Sequence, residues 1–123
     1  MEVYSLSGPS GTGKSTSALV FAHKHGIDGI IDDGLLIING QKRAGTSAKF
    51  EKNTLTAVRR AIFQNEEHRN EVRKALQEAN IKSLLIIGTS DKMTKQIAER
   101  LQVEPIQHFH YITEIRSPKE IQL

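Results

Sequence analysis

Short aliphatic runs alternate along this chain with longer segments in which apolar residues recur at helical spacing. The runs at 2–7, 82–88 and 106–112 are too short for helices and each predicts a strand. The run at 82–88 is almost continuously aliphatic, which indicates a strand buried on both faces of a parallel sheet. Residues 27–40 hold two further aliphatic runs, which predict two strands with one turn between them and a second turn after them.

The segments between these strands carry apolar residues three and four positions apart. They predict four helices, at about 13–25, 53–65, 66–79 and 91–101. The join near residue 65 has no Gly or Pro, so a single bent helix remains an alternative for the middle pair. Gly26 is the expected C-cap of the first helix, and 89–91 offers an N-cap for the last. Residues 41–52 are polar and basic without periodicity, and we expect a loop there.

This order of elements predicts an α/β fold with a mainly parallel sheet of about five strands. Right-handed crossovers should place helices on both faces, and a ligand would bind at the carboxyl ends of the strands. The length of 123 residues leaves room for one domain, which we take as 1–123. Ser117-Pro118 has the form of a helix start with only a few residues after it, so the chain is expected to be a form shortened at its C-terminus.

The composition excludes several classes of function but does not indicate a single one. The sequence has no Cys, which excludes disulfides, zinc-cysteine sites and thiol catalysis. It has no apolar run of transmembrane length and no signal-peptide pattern, so we expect a cytoplasmic protein without a membrane partner. The net charge of +3 suits a polyphosphate ligand, and by itself it gives little reason to expect nucleic acid.

The strongest chemical signal is a glycine-rich loop between the first strand and the first helix. Its residues fit G-x-x-x-x-G-K-[ST] and are Gly8, Pro9, Ser10, Gly11, Thr12, Gly13, Lys14 and Ser15. Such a loop presents backbone N–H groups to phosphate oxygens at the positive end of a helix. We expect these residues and Thr16 to bind a nucleotide, with Lys14 also stabilising transferred charge and Ser15 binding Mg²⁺.

Phosphoryl transfer also needs a carboxylate near the metal and a group that positions the acceptor. Asp32 and Asp33 follow an aliphatic strand and should emerge at the ligand edge of the sheet. We therefore assign Asp32 to Mg²⁺ and Asp33 to the catalytic positioning of the acceptor, with a plain solvated turn as the alternative. Asp91 is the rival carboxylate, although helix capping is the simpler interpretation of its position.

Basic residues and histidines offer weaker candidates. Extra phosphate contacts could come from the loop or the middle helices, and an ordinary solvated face is the alternative for each. The basic candidates are Lys42, Arg43, Lys49, Arg59, Arg60, Arg69, Arg73 and Lys74. His108 and His110 should alternate on one strand face, where no third metal ligand accompanies them.

The segment from Ser7 to Ser15 resembles the P-loop NTPase and kinase superfamily, which implies a three-layer sandwich of helices around the sheet. Residues 8–38 also resemble the core of bacterial HPr kinase/phosphorylase. That resemblance implies that the loop binds ATP or pyrophosphate and that Asp32 and Asp33 contribute to metal binding. The sequence has no counterpart of that family's further catalytic histidine or its later signature segment.

Together these features predict a Mg²⁺-dependent enzyme that binds a nucleoside triphosphate and acts as a kinase or hydrolase. ATP is the expected nucleotide, because the Asn-Lys-x-Asp run typical of guanine binding is absent. The phosphoryl acceptor is not indicated. A non-catalytic nucleotide sensor or partner-docking module is the alternative, and it is favoured by the small size and the missing catalytic arginine or histidine.

Overall fold

The computed structural model describes residues 1–9 and 14–115. Within these ranges the strands are β1 (Glu2–Ser7), β2 (Gly29–Asp32), β3 (Leu35–Ile38), β4 (Gln41–Gly45), β5 (Ser83–Gly88) and β6 (His108–Tyr111). The helices are α1 (Lys14–His25), α2 (Thr54–Ala61), α3 (Glu66–Ala79), α4 (Asp91–Leu101) and α5 (Ile112–Ile115), with a 3-10 turn at Ala48–Phe50. The helix start expected at Ser117 lies outside the described residues.

The strands form one sheet in the order β4-β3-β2-β5-β1-β6. β1 pairs in parallel with both β5 and β6, and β5 pairs in parallel with β2. β2, β3 and β4 form an antiparallel meander at one edge. The α/β class and the mainly parallel sheet are therefore confirmed, although the described sheet has six strands where about five were expected.

The additional strand is β4, and the loop predicted for 41–52 is wrong over its first half. Gln41, Lys42 and Arg43 are exposed, whereas Ala44 and Gly45 are buried against the rest of the molecule. β4 lies at the edge of the sheet, where polar and charged side chains are compatible with strand pairing. Its register with β3 also shifts between Leu36 and Ile37, so the strand lacks a regular alternating pattern.

Both hairpin turns of the meander occur where the sequence predicts them. Asp33 and Gly34 join β2 to β3 with φ angles of 54° and 90°, and Asn39 and Gly40 join β3 to β4 with 53° and 79°. Positive φ at both central residues is typical of type I′ turns, which match the twist of the strands that they connect. The short connections keep β2, β3 and β4 adjacent in the sheet.

Helices cover both faces of the sheet. Alternate residues of β5 show this best, because Leu84 and Ile86 belong to the core cluster with α3 and α4. Leu85 and Ile87 belong to the cluster with α1 on the opposite face. All four side chains are buried, which confirms the prediction from their continuous aliphatic run.

The helix ends agree with the sequence except at the C-terminal end of α2. α1 ends with Gly26 at a φ of 65°, and the N–H of Ile27 donates to the carbonyl of Ala22 at 2.8 Å, as in a Schellman cap. α2 ends at Ala61, so its predicted end near 65 is wrong. Phe63 has a φ of 61° and is fully buried, which separates α2 from α3 and excludes one bent helix. None of the helices in the described ranges is long and apolar enough to cross a membrane.

Candidate functional site

The glycine-rich sequence lies at the carboxyl end of β1, in the middle of the parallel strands. Ser7, the last residue of β1, pairs with Gly88 of β5 on one side and with Tyr111 of β6 on the other. The N–H of Gly8 donates to the carbonyl of Gly88 at 3.2 Å. The chain therefore leaves the sheet at a point where three strands end together, which is where α/β folds usually bind ligands.

The candidate phosphate-binding residues are only partly within the described chain. Gly8 is half-buried and Pro9 is exposed, whereas residues 10–13 lie outside the described ranges. Lys14 and Ser15 begin α1, and the backbone of this first turn is described. Its first turn contains no acidic residue, so no carboxylate of its own offsets the positive end of the helix dipole.

A cavity of about 320 Å³ opens directly beside Gly8 and Pro9. It lies where β1, β5 and β6 end and where α4 and α5 begin. Its lining residues are Ser7, Gly8, Pro9, Thr89, Ser90, Asp91, Tyr111, Ile112 and Thr113. The lining is rich in hydroxyl groups, and Asp91 is the one carboxylate among these residues.

Asp91 is held by β6 and does not cap its own helix. Ser90 is the N-cap of α4, and its hydroxyl accepts a hydrogen bond from the N–H of Met93 at 3.2 Å. The hydroxyl of Tyr111 donates to Asp91 Oδ2 at 2.8 Å. Asp91 Oδ1 is buried and has no hydrogen-bond partner within the described residues. The capping interpretation of Asp91 is therefore wrong, because Ser90 caps α4.

Asp32 and Asp33 occupy different environments although they are adjacent in the sequence. Asp32 is the last residue of β2, two strands from β1, which is roughly 10 Å at the usual spacing of strands. Asp33 lies in the turn, where its Oδ2 accepts a hydrogen bond from the hydroxyl of Ser47 at 2.9 Å. The carbonyl of Asp33 also accepts from the N–H of Ala48 at 2.9 Å. Asp33 thus links the β2–β3 turn to the segment after β4.

His68 contacts the same turn, and no sequence pattern had indicated a role for it. Its side chain is 3 % exposed, and its Nε2 lies 2.7 Å from the carbonyl of Gly34. The ring stacks on Phe63 with centroids 4.6 Å apart. Burial lowers the pKa of His68 below its ordinary value, so the neutral form with a proton on Nε2 is favoured. His68, Val72 and Leu76 recur four residues apart on α3, and this spacing was the available signal.

The basic candidates do not converge on the cavity beside Gly8. Arg59 and Arg60 line a separate cavity of about 490 Å³ with Glu51 and Gln64, and Arg60 Nε contacts Glu51 Oε1 at 2.9 Å. Arg73 donates instead to the carbonyl of Arg100 at 2.7 Å, which joins α3 to α4. Lys42 and Arg43 are on edge strand β4, and Lys49 is in the 3-10 turn. Lys74 and Arg69 are on α3, and Arg69 Nη1 donates to the carbonyl of Phe63 at 3.3 Å.

The histidines of β6 join an aromatic group on the α1 side of the sheet. His108 stacks on Tyr4 at a centroid distance of 4.5 Å, and His110 lies 4.8 Å from the ring of Phe21. The side chain of His25 reaches the same group, 4.2 Å from Phe21. Among the described residues, no group of three or more His, Cys, Asp or Glu side chains is arranged to hold a metal ion.

Comparison with known proteins gives no assignment. No protein-family model, no curated protein and no solved structure matches this chain.

Proposed function

We propose that the chain binds the Mg²⁺ complex of a nucleoside triphosphate, with ATP as the expected ligand, and transfers or hydrolyses its terminal phosphoryl group. In this proposal the fold is a three-layer P-loop sandwich, and Gly8–Ser15 with Thr16 binds the phosphates. The observation that carries the proposal is the strand–loop–helix context of the motif. β1 ends at Ser7 beside the carboxyl ends of β5 and β6, and α1 begins at Lys14, so the motif lies between a parallel strand and a helix.

The proposed donors are of the chemical types that a magnesium ion prefers. Mg²⁺ prefers oxygen ligands and usually keeps several of its waters, so one hydroxyl and one carboxylate are sufficient protein ligands. Ser15 would supply the hydroxyl, and Asp32, half-buried at the carboxyl end of β2, would supply the carboxylate. The bound ion would neutralise charge on the phosphates, while Lys14 would contact the terminal phosphoryl group as charge develops there.

Titration of the protein with Mg·ATP, and with a non-hydrolysable analogue, tests the binding step. We expect Lys14→Ala to weaken the affinity by at least about tenfold, because a charge-assisted contact to phosphate is lost. Lys24→Ala is the matched control, since Lys24 is an exposed lysine in the last turn of the same helix. Equal affinities of the wild type and Lys14→Ala would refute the assignment of the loop.

Release of ADP and phosphate under single-turnover conditions tests the chemical step. Turnover above the Lys14→Ala background supports an enzyme. Tight binding of Mg·ATP without any turnover would instead favour the non-catalytic sensor or docking module.

A further inference from the structure

A second cavity, separate from the one beside Gly8, lies where α2 meets α3 and has a volume of about 490 Å³. This volume is in the range of pockets that bind small molecules. Two arginines line the cavity, and the proposed nucleotide function uses neither of them. The described lining residues are all polar: Glu51, Thr56, Arg59, Arg60, Gln64 and Asn65. The lining therefore suits a polar small molecule.

Arg60 is held in the cavity wall by contacts on two sides. Its Nε donates to Glu51 Oε1 at 2.9 Å, and the two side chains are 23 % and 25 % exposed. Its stem packs against the β2–β3 turn, because a Cβ on Gly34 would lie 3.4 Å from Arg60 Cγ. The ion pair uses Nε, so the two Nη groups remain available as donors. The guanidinium group is thus positioned before any ligand binds.

Arg59 supplies a positive charge that no described residue balances. Its side chain is exposed, and it makes no hydrogen bond or ion pair with another described residue. Glu51 is the one carboxylate among the described lining residues, and it is already paired with Arg60. Two guanidinium groups and one carboxylate leave one positive charge on this lining. A bound anion would balance that charge.

Amide and hydroxyl groups complete the described lining. Asn65 is the N-cap of α3, and its Oδ1 accepts a hydrogen bond from the N–H of His68 at 2.9 Å. Its NH₂ group is left as a donor, and Gln64 supplies a second exposed amide. The hydroxyl of Thr56 donates to the carbonyl of Asn53 at 3.1 Å, so its oxygen can accept from a ligand. Such groups suit the hydroxyl groups of a sugar.

The backbone that carries these side chains is fixed by contacts outside the cavity. Phe63 lies between α2 and α3, is fully buried and has a φ of 61°. The carbonyl of Ile62 accepts from Arg100 Nη1 at 3.0 Å. The N–H of Gln64 donates to the carbonyl of Arg59 at 3.0 Å. Because the junction is already ordered, binding of a ligand costs little conformational entropy in the backbone.

We propose that this cavity binds a small sugar phosphate, with Arg59 and Arg60 as the ligands of its phosphate group. A phosphate monoester has three terminal oxygens and can accept hydrogen bonds from two guanidinium groups, whereas a carboxylate has two oxygens. The amides and the Thr56 hydroxyl contact the hydroxyl groups of the sugar. The proposal does not depend on the nucleotide-binding function, because none of these residues belongs to the glycine-rich motif.

Calorimetric titration tests the site with glucose and ribose, each free and as the monophosphate of its terminal hydroxyl group. We expect at least one monophosphate to bind with a dissociation constant below about 1 mM, and both free sugars to bind more weakly than that. Arg59→Gln should weaken binding at least about tenfold, because a charge-assisted contact is lost. Arg59→Lys retains the charge and should lose less. Arg43→Gln, at an exposed arginine of β4, is the matched control and should bind as the wild type does.

The phosphate probe could also bind at the glycine-rich loop, and Lys14→Ala separates the two sites. We expect Lys14→Ala to leave the affinity for the monophosphate unchanged. Weaker binding in Lys14→Ala with wild-type binding in Arg59→Gln would place the probe at the loop and overturn the proposal. Failure of Mg·ATP to bind would refute the nucleotide function alone.

Three other results would also overturn the sugar phosphate site. The first is a dissociation constant above about 1 mM for both monophosphates. The second is an equal loss of affinity in Arg59→Gln and Arg43→Gln, which would indicate a general effect of net charge. The third is binding of a single-stranded RNA that needs Arg59 when neither monophosphate binds, which would indicate a nucleic-acid surface instead.

Discussion

The imidazole of His68 lies under the β2–β3 turn, with its Nε2 2.7 Å from the carbonyl oxygen of Gly34. This contact joins α3 to the turn that follows Asp32, the expected Mg²⁺ ligand. Because the ring is buried and its pKa is lowered, the contact belongs to the neutral histidine. The position of the turn that contains Asp33 is thus coupled to the protonation state of His68.

The first prediction concerns the pH dependence of stability. The folded-state pKa of His68 lies below the unfolded value of 6.5, so the unfolded chain binds more protons between the two. The contribution of His68 is fully present above 6.5 and is lost as pH falls below it, with a slope of at most about 1.4 kcal/mol per pH unit. Urea unfolding from about pH 5 to about pH 8 should show this slope, and His68→Gln should reduce it. His23→Gln, at an exposed position, should leave the slope unchanged.

The second prediction concerns the glycines of the two hairpin turns. A Cβ on Gly34 would lie 2.4 Å from the carbonyl oxygen of Thr46, and the backbone there has a φ of 90°. Gly40 has a similar φ of 79°, but a Cβ there would meet no atom within 4 Å. Gly40→Ala should therefore lower the unfolding free energy by about 1 kcal/mol, which is the cost of a Cβ in the left-handed conformation. Gly34→Ala should cost about 1–3 kcal/mol more because of the clash, and equal losses in chemical unfolding would contradict this account.

The third prediction separates Asp32 from Asp33. Asn tolerates the left-handed conformation of residue 33, so Asp33→Asn changes mainly the hydrogen bond with Ser47. We expect a loss of about 1 kcal/mol in unfolding free energy and little change in the Mg²⁺ requirement. Asp32→Asn should instead raise the Mg²⁺ concentration needed for nucleotide binding. The reverse result, with Asp33→Asn alone affecting Mg²⁺, would exchange the two assignments.

The fourth prediction concerns the attachment of α4 to the central strand. Ser5 Oγ donates to Thr94 Oγ1 at 2.8 Å, and both side chains are fully buried. Thr94→Val should cost about 1–3 kcal/mol, because the Ser5 hydroxyl is then buried without a partner. The double variant Ser5→Ala with Thr94→Val should lose less than the sum of the two single variants. Additive losses in thermal unfolding would show that the two hydroxyls are not coupled.

Much of this fold could be predicted from the local sequence pattern, because aliphatic runs indicate its strands and turn residues indicate its turns. The run at 82–88 predicted a buried strand and Asn39-Gly40 predicted a turn, and both predictions are confirmed. β4 was missed because an edge strand needs no apolar alternation, so Gln41–Gly45 resembles a loop. The end of α2 was missed because the left-handed conformation of Phe63 depends on its tertiary burial, which local sequence does not encode.

In the candidate site, too, some positions follow from the sequence pattern and others depend on tertiary contacts. The position of Asp32 at the carboxyl ends of the parallel strands follows from parallel pairing, which aligns strand ends. The contact between Asp91 and Tyr111 spans 20 residues and depends on β6 lying beside β1. No spacing in the sequence indicates that neighbour. His68 was missed although it shares the helical face of Val72, because histidine is polar and its burial depends on a contact with the β2–β3 turn.

The pairing of β1 also has a consequence for the order in which the molecule can be assembled. β2, β3 and β4 are consecutive, so their hairpins can form as soon as residues 29–45 leave the ribosome. β1 has no such local partner and must wait for residues 83–88 and then for 108–111. Contacts of such long sequence separation form late, because loop closure precedes any gain from pairing. The strand that precedes the proposed phosphate-binding loop is thus synthesised early and paired late, and during that interval its two edges are open to other chains.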